Sequence, residues 1–244
     1  RWSPAQVSRG LRRRFPREPG RWLCTETIYQ AVYRPDLGGL PRELPGRVLR
    51  LRRRHRLPRR HAGARRPGPV TAAVLDRVEP GHWEGDLIMG TANRTAIVTL
   101  VERTSRCTRL GHLPDGKHDS AAVRDAVITA LGDLPPHLRL TLTWDQGKEM
   151  ALHPEIAAGL GMASVYFCDP HAPWQRPTKE HTNGLLRDYF PTGTDLSGYH
   201  PDYLVFVAEE LNDRPRKRLA WKTPKEALRE LLSNPTDPNG VALA

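Results

Sequence analysis

Apolar residues recur at helical spacing in two short stretches near the start of the chain. Val7, Leu11 and Phe15 share one face of a predicted helix over residues 2–15. A second helix is predicted over residues 24–34, after a turn rich in proline and glycine. Two short helices joined by a turn make a helix-turn-helix candidate, although a plain helical hairpin fits this pattern nearly as well. The caps predicted from residue type for these helices are Ser3 and Thr25.

Beyond residue 70 the pattern changes to short apolar strands and amphipathic helices. Strands are predicted over residues 81–90, 95–105, 107–114, 138–144 and 164–168, the last of them buried. Helices are predicted over residues 119–134, 148–160 and 201–211, with a further one beginning at Pro177. The first two strands are close enough in the chain to form a hairpin. A hairpin followed by alternating helices and strands predicts a mixed-sheet α/β domain.

Positive charge is concentrated in the first third of the chain. The first 70 residues hold 19 arginines, no lysine and four acidic residues, whereas the remainder holds 19 basic and 23 acidic residues. The first 70 residues therefore carry a charge of +15 and the remainder −4, which together give the net charge of +11. Residues 47–69 are predicted to be a flexible basic linker. Such an arm attracts polyanions through counterion release, so we expect it to bind nucleic acid; a solubilising arm is the alternative.

Several classes of protein are excluded or disfavoured by what the sequence lacks. It has no apolar run of about 18 residues and no signal peptide. It has neither a phosphate-binding GxxxxGK[ST] loop nor a GxSxG serine elbow. Its three cysteines are scattered, which favours a reducing cytosol, and Cys168 with His171 and His181 makes only a weak zinc candidate. Because the chain opens on Arg1 instead of methionine, we expect it to be a fragment or a processed product.

Three acidic residues stand at the ends of predicted elements. Asp86 lies in the first strand, Asp145 directly follows the strand over 138–144, and Glu180 lies in the first turn of the helix that begins at Pro177. Carboxylates that are distant in sequence but converge in space suit Mg²⁺, which binds hard oxygen ligands. A pair of such ions can assist phosphodiester chemistry. Nearby acids predicted to support the three are Glu84, Glu149 and Asp169.

Six motifs, in order along the chain, carry a resemblance to a known family. They are GHWEGDLIMG (81–90), LVERTSR (100–106), LTWDQGKEM (142–150), VYFCDPHAPWQR (165–176), TNGLLRDYFPTGTDLS (182–197) and LNDRPRKRLAWKTPKEAL (211–228). With these motifs the chain resembles the transposases of insertion-sequence family 30 over residues 2–232.

The resemblance implies a ribonuclease-H-like catalytic domain that cleaves and transfers DNA strands at the ends of a mobile element. It implies Asp86, Asp145 and Glu180 as ligands of two Mg²⁺ ions, for which Mn²⁺ can substitute. The implied partners are the terminal inverted repeats, the target DNA and further copies of the chain in a synaptic complex. The implied location is the bacterial cytoplasm, in association with the nucleoid.

The resemblance and the charge pattern together suggest four segments and a set of DNA-contacting residues. The segments are a helix-turn-helix-like part (1–46), the basic linker (47–69), the catalytic domain (70–232) and a tail (233–244). The predicted DNA contacts are Arg12, Arg13, Glu26, Thr27, Gln30, Arg52, Arg53, Arg54, Trp174, Arg176, Lys179 and Arg216. Of these, Glu26, Thr27 and Gln30 are expected to read the major groove from the helix over 24–34.

The sequence departs from the family pattern around the third acid. Where the family carries QRGTNENTNG, this chain has QRPTKEHTNG, so Pro177, Lys179 and His181 surround Glu180. A proline removes an N–H and adds bulk where glycine allows close approach. Members of the family usually carry an additional N-terminal DNA-binding segment, which we expect this chain to lack. The alternatives are therefore a catalytically inactive DNA-binding remnant, or a ribonuclease-H-like nuclease of another purpose.

Overall fold

The structure is a computed structural model, and it divides by its internal contacts into two units. Its described residues are 2–34, Gly39, 79–145, 147–168 and 177–233, with the backbone alone described for 177–181. The first unit contains residues 1–69 together with 214–222, and the second contains residues 70–213 together with 223–244. The linker over 47–69 and residues 234–244 lie outside the described residues.

The first unit begins with two helices, α1 (Pro4–Arg14) and α2 (Thr25–Tyr33). Ser3 caps α1 as predicted, because its hydroxyl accepts from the Gln6 amide while the Gln6 side chain accepts from the Ser3 amide. The prediction that Thr25 caps α2 is wrong by one residue. The cap is Cys24, whose sulfur accepts a hydrogen bond from the amide of Thr27 at 3.3 Å.

Side-chain hydrogen bonds join α1 to the turn that precedes α2. The Ser8 hydroxyl donates to the carbonyl of Leu23 at 2.6 Å, and the Trp22 indole donates to the carbonyl of Phe15 at 2.8 Å. These bonds satisfy carbonyls that the short helices cannot pair internally. The two predicted helices therefore form a hydrogen-bonded helical pair.

The segment 214–222 completes the first unit, an arrangement that the sequence analysis did not include. The side-chain amide of Gln6 donates to the carbonyl of Pro215 at 3.1 Å, and the guanidinium of Arg13 donates to the carbonyl of Trp221 at 3.3 Å. The guanidinium of Arg9 lies over the Trp221 ring, 5.1 Å from its centroid, in a cation–π contact. One face of α1 is thus used to hold a segment from late in the chain.

The second unit is built on a five-stranded mixed sheet. Its strands are β1 (His82–Met89), β2 (Ala96–Glu102), β3 (Thr108–Gly111), β4 (Thr141–Trp144) and β5 (Ser164–Phe167). They lie in the order β3-β2-β1-β4-β5, with β1–β2 and β2–β3 antiparallel and β1–β4 and β4–β5 parallel. The predicted β1–β2 hairpin and the predicted mixed-sheet α/β domain are confirmed.

Five helices accompany this sheet in the described part of the second unit. They are α3 (Ser120–Leu131), α4 (His153–Leu160), α5 (Pro177–Leu186), α6 (Pro201–Asn212) and α7 (Pro224–Ser233). Asp119 caps α3 by accepting a hydrogen bond from the amide of Ala122 at 2.9 Å. The helix predicted over 148–160 is shorter than expected, because residues 148–150 form a separate 3₁₀ turn. Throughout the residues that the structure describes, every helix is too short or too polar to cross a lipid bilayer.

Two apolar cores form on the two faces of the sheet, because successive apolar side chains of β2 point to opposite faces. Val98 and Leu100 point to the core shared with α3 and α4, and Ile97 points to the core shared with α5 and α6. On β1 the same alternation places Trp83 in the first core and Ile88 in the second. The polar residues of β1 between these positions therefore lie on known faces.

The prediction that the strand over 164–168 is buried is wrong for part of its length. Val165 is buried, but Tyr166 is 55% exposed and Phe167 is 38% exposed. The reason is the place of β5 in the sheet, since it pairs with β4 alone among the described strands. Phe167 keeps one close aromatic contact, edge-on to His153 at 5.0 Å between ring centroids.

Candidate active site

Asp86 and Asp145 belong to two neighbouring parallel strands. Asp145 directly follows β4, but the prediction that Asp86 stands at the end of an element is wrong, because residues 87–89 continue β1 in its pairing with β2. β1 and β4 pair with His82 opposite Thr141 and Glu84 opposite Thr143. Continued by two residues, this register sets position 86 beside position 145, and neighbouring strands lie about 4.8 Å apart. Asp145 follows Trp144, the last residue of β4, and is half-buried. The fold thus brings together two residues that are distant in the chain.

The aspartates face the helix α5. Glu84, Asp86 and Ile88 alternate with the residues of the first core, so they share the face that α5 and α6 cover. The Asn183 side chain of α5 donates a hydrogen bond to Oδ2 of Asp86 at 2.7 Å. This contact holds one orientation of the Asp86 carboxylate.

Gly85 allows the two strand ends to approach closely. A Cβ placed on Gly85 would lie 2.1 Å from Cε3 and 2.2 Å from Cζ3 of Trp144. The indole of Trp144 is fully buried and so cannot move aside easily. Its nitrogen faces Glu149, at 3.3 Å from Oε1. The glycine before Asp86 and the tryptophan before Asp145 therefore lock the two aspartates in register.

A cation also lies beside Asp86. Burial lowers the pKa of Arg187, and the charge of Asp86 opposes that shift. The guanidinium of Arg187 donates to the carbonyl of Met89 at 3.1 Å and to that of Phe190 at 3.4 Å. Sequence reasoning missed both Asn183 and Arg187. Asn183 lies three residues after Glu180 on α5 and Arg187 directly follows that helix, and no pattern in the sequence distinguishes them before the helix is placed against β1.

The third acid is described only through its backbone. Glu180 lies inside α5, in the turn that begins at Pro177, as predicted. Its side chain, with those of Lys179 and His181, lies outside the described residues, as do Asp169, His171, Trp174 and Arg176. Among the side chains that the structure describes, no group of three His, Cys, Asp or Glu residues is disposed to hold a metal ion.

Predicted DNA contacts in the first unit are found mostly on its surface. Glu26, Thr27 and Gln30 are all exposed on α2. Arg12 and Arg13 are exposed as well, but both make contacts within the unit, since Arg12 lies over the Trp22 ring at 5.4 Å and Arg13 donates to Trp221. Arg216 is half-buried in the segment 214–222, and Arg52, Arg53 and Arg54 lie outside the described residues.

Three curated proteins that are similar to this chain are all named as transposases. The chain is 48% identical over 97% of its length to a transposase of insertion sequence element IS1086 from Cupriavidus metallidurans, of which it spans 71%. It is 43% identical over 93% of its length to transposase InsI of IS30A from Escherichia coli, of which it spans 61%. It is also 37% identical over 67% of its length to a transposase of IS4351 from Bacteroides fragilis, of which it spans 48%.

Solved structures to which this chain is similar include two retroviral proteins. One is the catalytic core domain of BIV integrase, with a TM-score of 0.46, 20% identity and coverage of 63% of this chain and 97% of that one. Another is a chain in a simian T-cell lymphotropic virus intasome, with a TM-score of 0.48, 20% identity and coverage of 61% and 54%. No protein-family model matches the chain. The curated relatives, matched over nearly the whole chain, are decisive: this chain belongs to the insertion-sequence family 30 transposases.

Proposed function

We propose that this chain carries the catalytic domain and an adjoining DNA-binding part of a transposase. Its reaction is the metal-dependent cleavage of DNA at the ends of an insertion sequence, followed by transfer of the freed strand to target DNA. The observation that carries this proposal is the parallel register of β1 and β4, which, continued by two residues, sets Asp86 beside Asp145, while Asn183 of the helix that contains Glu180 donates a hydrogen bond to Asp86. The matched relatives are named as transposases and extend beyond this chain.

The donor set fits hard divalent cations. Asp86 and Asp145 supply carboxylate oxygens, which Mg²⁺ and Mn²⁺ prefer, and Asn183 is a neutral partner that leaves the charge of Asp86 intact. We assign Glu180 as the third ligand. Two Mg²⁺ ions bound there would activate an attacking oxygen and stabilise a leaving one in phosphodiester chemistry.

The remaining residues of the site orient these acids and shape the local charge. Asn183 fixes the Asp86 carboxylate through its hydrogen bond, so that the metal ligand is preorganised. Arg187 places a positive charge next to Asp86 and attracts a polyanionic substrate to this face of the sheet. The chain itself supplies alignment, and no residue is assigned as a covalent nucleophile.

DNA would be held by the first unit and by the basic arm. The exposed Glu26, Thr27 and Gln30 share one side of α2 and are suited to base edges in the major groove. We assign phosphate contacts to Arg12, Arg13, Arg52, Arg53, Arg54, Lys179 and Arg216, and base stacking and phosphate contact to Trp174 and Arg176. The specific partners proposed are terminal inverted repeats, target DNA and further copies of the chain, at the bacterial nucleoid.

Removal of one ligand charge tests this function. Asp145→Asn should abolish metal-dependent strand cleavage while DNA affinity stays within about twofold of wild type, because phosphate contacts dominate binding. The matched control is Asp133→Asn, which removes an exposed carboxylate that pairs with Arg109 on β3, two strands away from β1 in the sheet. It should cleave as wild type does.

Two other results would contradict the proposal. If Asp145→Asn loses DNA binding in parallel with cleavage, Asp145 has a structural role. If the wild-type chain binds terminal-repeat DNA but never cuts it with Mg²⁺ or Mn²⁺, the inactive remnant is the better description.

A further inference from the structure

A second buried carboxylate lies on the same face as Asp86, two residues earlier in β1. The Glu84 side chain is 1% exposed, and Oε1 lies 3.2 Å from Nε of Arg103, whose side chain is 10% exposed. Neither oxygen of Glu84 accepts an aligned hydrogen bond from the described residues, so charge alone holds the pair. Arg103 also donates to the Thr143 hydroxyl at 3.2 Å and so reaches from the end of β2 to β4.

The neighbouring Glu102 shows how this fold treats a carboxylate that is only structural. Glu102 is fully buried, and its oxygens accept hydrogen bonds from the amide of Gly81 at 3.2 Å and from both the amide and the hydroxyl of Ser105. Glu84 has a charge partner but none of these donors. A buried charge pair without further hydrogen bonds is weak support for stability, since apolar residues of similar size pack as well. The Glu84–Arg103 pair therefore calls for another role.

The position of the pair suggests that role. Two residues of strand separate Glu84 from Asp86 by about 7 Å. Thr143, which Arg103 contacts, lies the same two residues before Asp145. The pair thus adds one negative and one positive charge about two residues before the aspartates along their strands. Glu84 is not itself assigned as a ligand, because its buried carboxylate is paired with the guanidinium of Arg103.

We propose that Glu84 and Arg103 are positioning residues that keep the metal site charge-balanced. Arg103 cancels the charge of Glu84, so the bound cation interacts with the charges of its own ligands and with Arg187 beside Asp86. The inference rests on the proposed function, because it assumes a divalent cation at Asp86 and Asp145. Loss of either partner alone leaves an uncompensated charge, and the two losses have opposite signs.

The opposite signs make the test specific. A unit charge about 7 Å from a divalent ion changes the binding constant about sevenfold even at the dielectric constant of water. Glu84→Gln should therefore weaken Mn²⁺ binding about five- to tenfold, whereas Arg103→Gln should strengthen it by a similar factor. The double variant should return to within about twofold of wild type. The measurement is Mn²⁺ binding followed by electron paramagnetic resonance of the free ion, on the full chain without DNA.

Three further variants keep the test decisive if Arg103→Gln does not fold. Arg103→Lys retains the charge and should bind Mn²⁺ within about twofold of wild type. Glu102→Gln removes a buried carboxylate from the opposite face; it should lower the melting temperature and change Mn²⁺ affinity less than about threefold. Asp145→Asn should abolish binding at this site.

The outcomes separate the two proposals. If Asp145→Asn leaves Mn²⁺ binding unchanged, the metal site of the proposed function is wrong, and the charge-balance inference falls with it. If Asp145→Asn abolishes binding but Glu84→Gln leaves the affinity unchanged or increases it, only the charge-balance inference is overturned. That inference is also overturned if both single variants shift the Mn²⁺ affinity in one direction.

Discussion

Gly85 offers the sharpest test of the packing that sets the two aspartates. In a strand interior, alanine normally stabilises the fold by about 0.5–1 kcal/mol relative to glycine. Here the added Cβ would lie 2.1 Å from Cε3 of Trp144 and 3.2 Å from Cδ1 of Leu142, and both side chains are fully buried. The sign of the change in stability therefore depends on whether the cost of this overlap exceeds the gain expected from alanine.

The expected magnitude follows from these opposing effects. Overpacking a filled core costs typically about 1–3 kcal/mol. After the gain expected from alanine, Gly85→Ala should lower the free energy of unfolding by about 1–2 kcal/mol. For a chain of this size that lowers the melting temperature by about 2–8 °C. The rate of strand cleavage should fall by more than the loss of folded protein accounts for, because relief of the clash displaces Trp144 and with it Asp145.

The assays are thermal and urea unfolding followed by circular dichroism, alongside strand cleavage. The matched control is Gly198→Ala, where an added Cβ meets no atom within 4 Å, and stability should be unchanged or rise by up to about 1 kcal/mol. Combining Gly85→Ala with Trp144→Leu should cost less than the two single changes together, because the ring that clashes is gone. A Gly85→Ala variant as stable and as active as wild type would refute the reasoning.

Three other predictions concern separate parts of the chain. Asn183→Ala removes a hydrogen bond to a carboxylate, worth about 1.5–3 kcal/mol, and should slow cleavage about 10- to 100-fold with little change in melting temperature. The control is Tyr189→Phe, which removes the Tyr189–Glu210 hydrogen bond, and equal cleavage rates in the two variants would be inconsistent with this role of Asn183. Hydrogen bonding with Thr27 lowers the pKa of Cys24, while burial raises the pKa of Cys107 to about 12. Iodoacetamide at pH 8 should therefore modify Cys24 before Cys107, and Cys24 should react more slowly in Thr27→Val; equal labelling of both thiols would contradict the pKa shifts. Deletion of residues 47–69 should flatten the dependence of log K on log salt for DNA binding, and an unaltered slope would rule out the arm as the phosphate-binding segment.

Sequence periodicity was a good guide wherever the structure depends on neighbours in the chain. The apolar run of β2 and the amphipathic stripe of α3 are local patterns, and both elements occur close to their predicted bounds. The exposure of Tyr166 was not predictable in this way, because it depends on β5 lying at an edge of the described sheet. The docking of segment 214–222 against α1 likewise depends on partners about 200 residues apart.

The candidate site shows the same division. Asp86 lies within one strand that the apolar pattern predicted and Asp145 directly follows another, so the elements that hold them were available from sequence. Asn183 and Arg187 were overlooked because an amide and an arginine on a polar helix carry no distinctive signal until the helix is placed against β1. The Glu84–Arg103 pair required the register between β1 and β4, which no local pattern contains.

The central claim is that Asp86, Asp145 and Glu180 form the site of DNA cleavage and strand transfer. The most direct measurement incubates the chain with Mg²⁺ or Mn²⁺ and end-labelled DNA that carries the terminal repeats of its element, beside a Glu180→Ala variant. The account predicts nicked and joined products that need the metal and disappear in the variant, even with Pro177 and Lys179 next to the third acid. Products of equal yield from the Glu180→Ala variant, or DNA binding without any cleavage by the wild type, would contradict it.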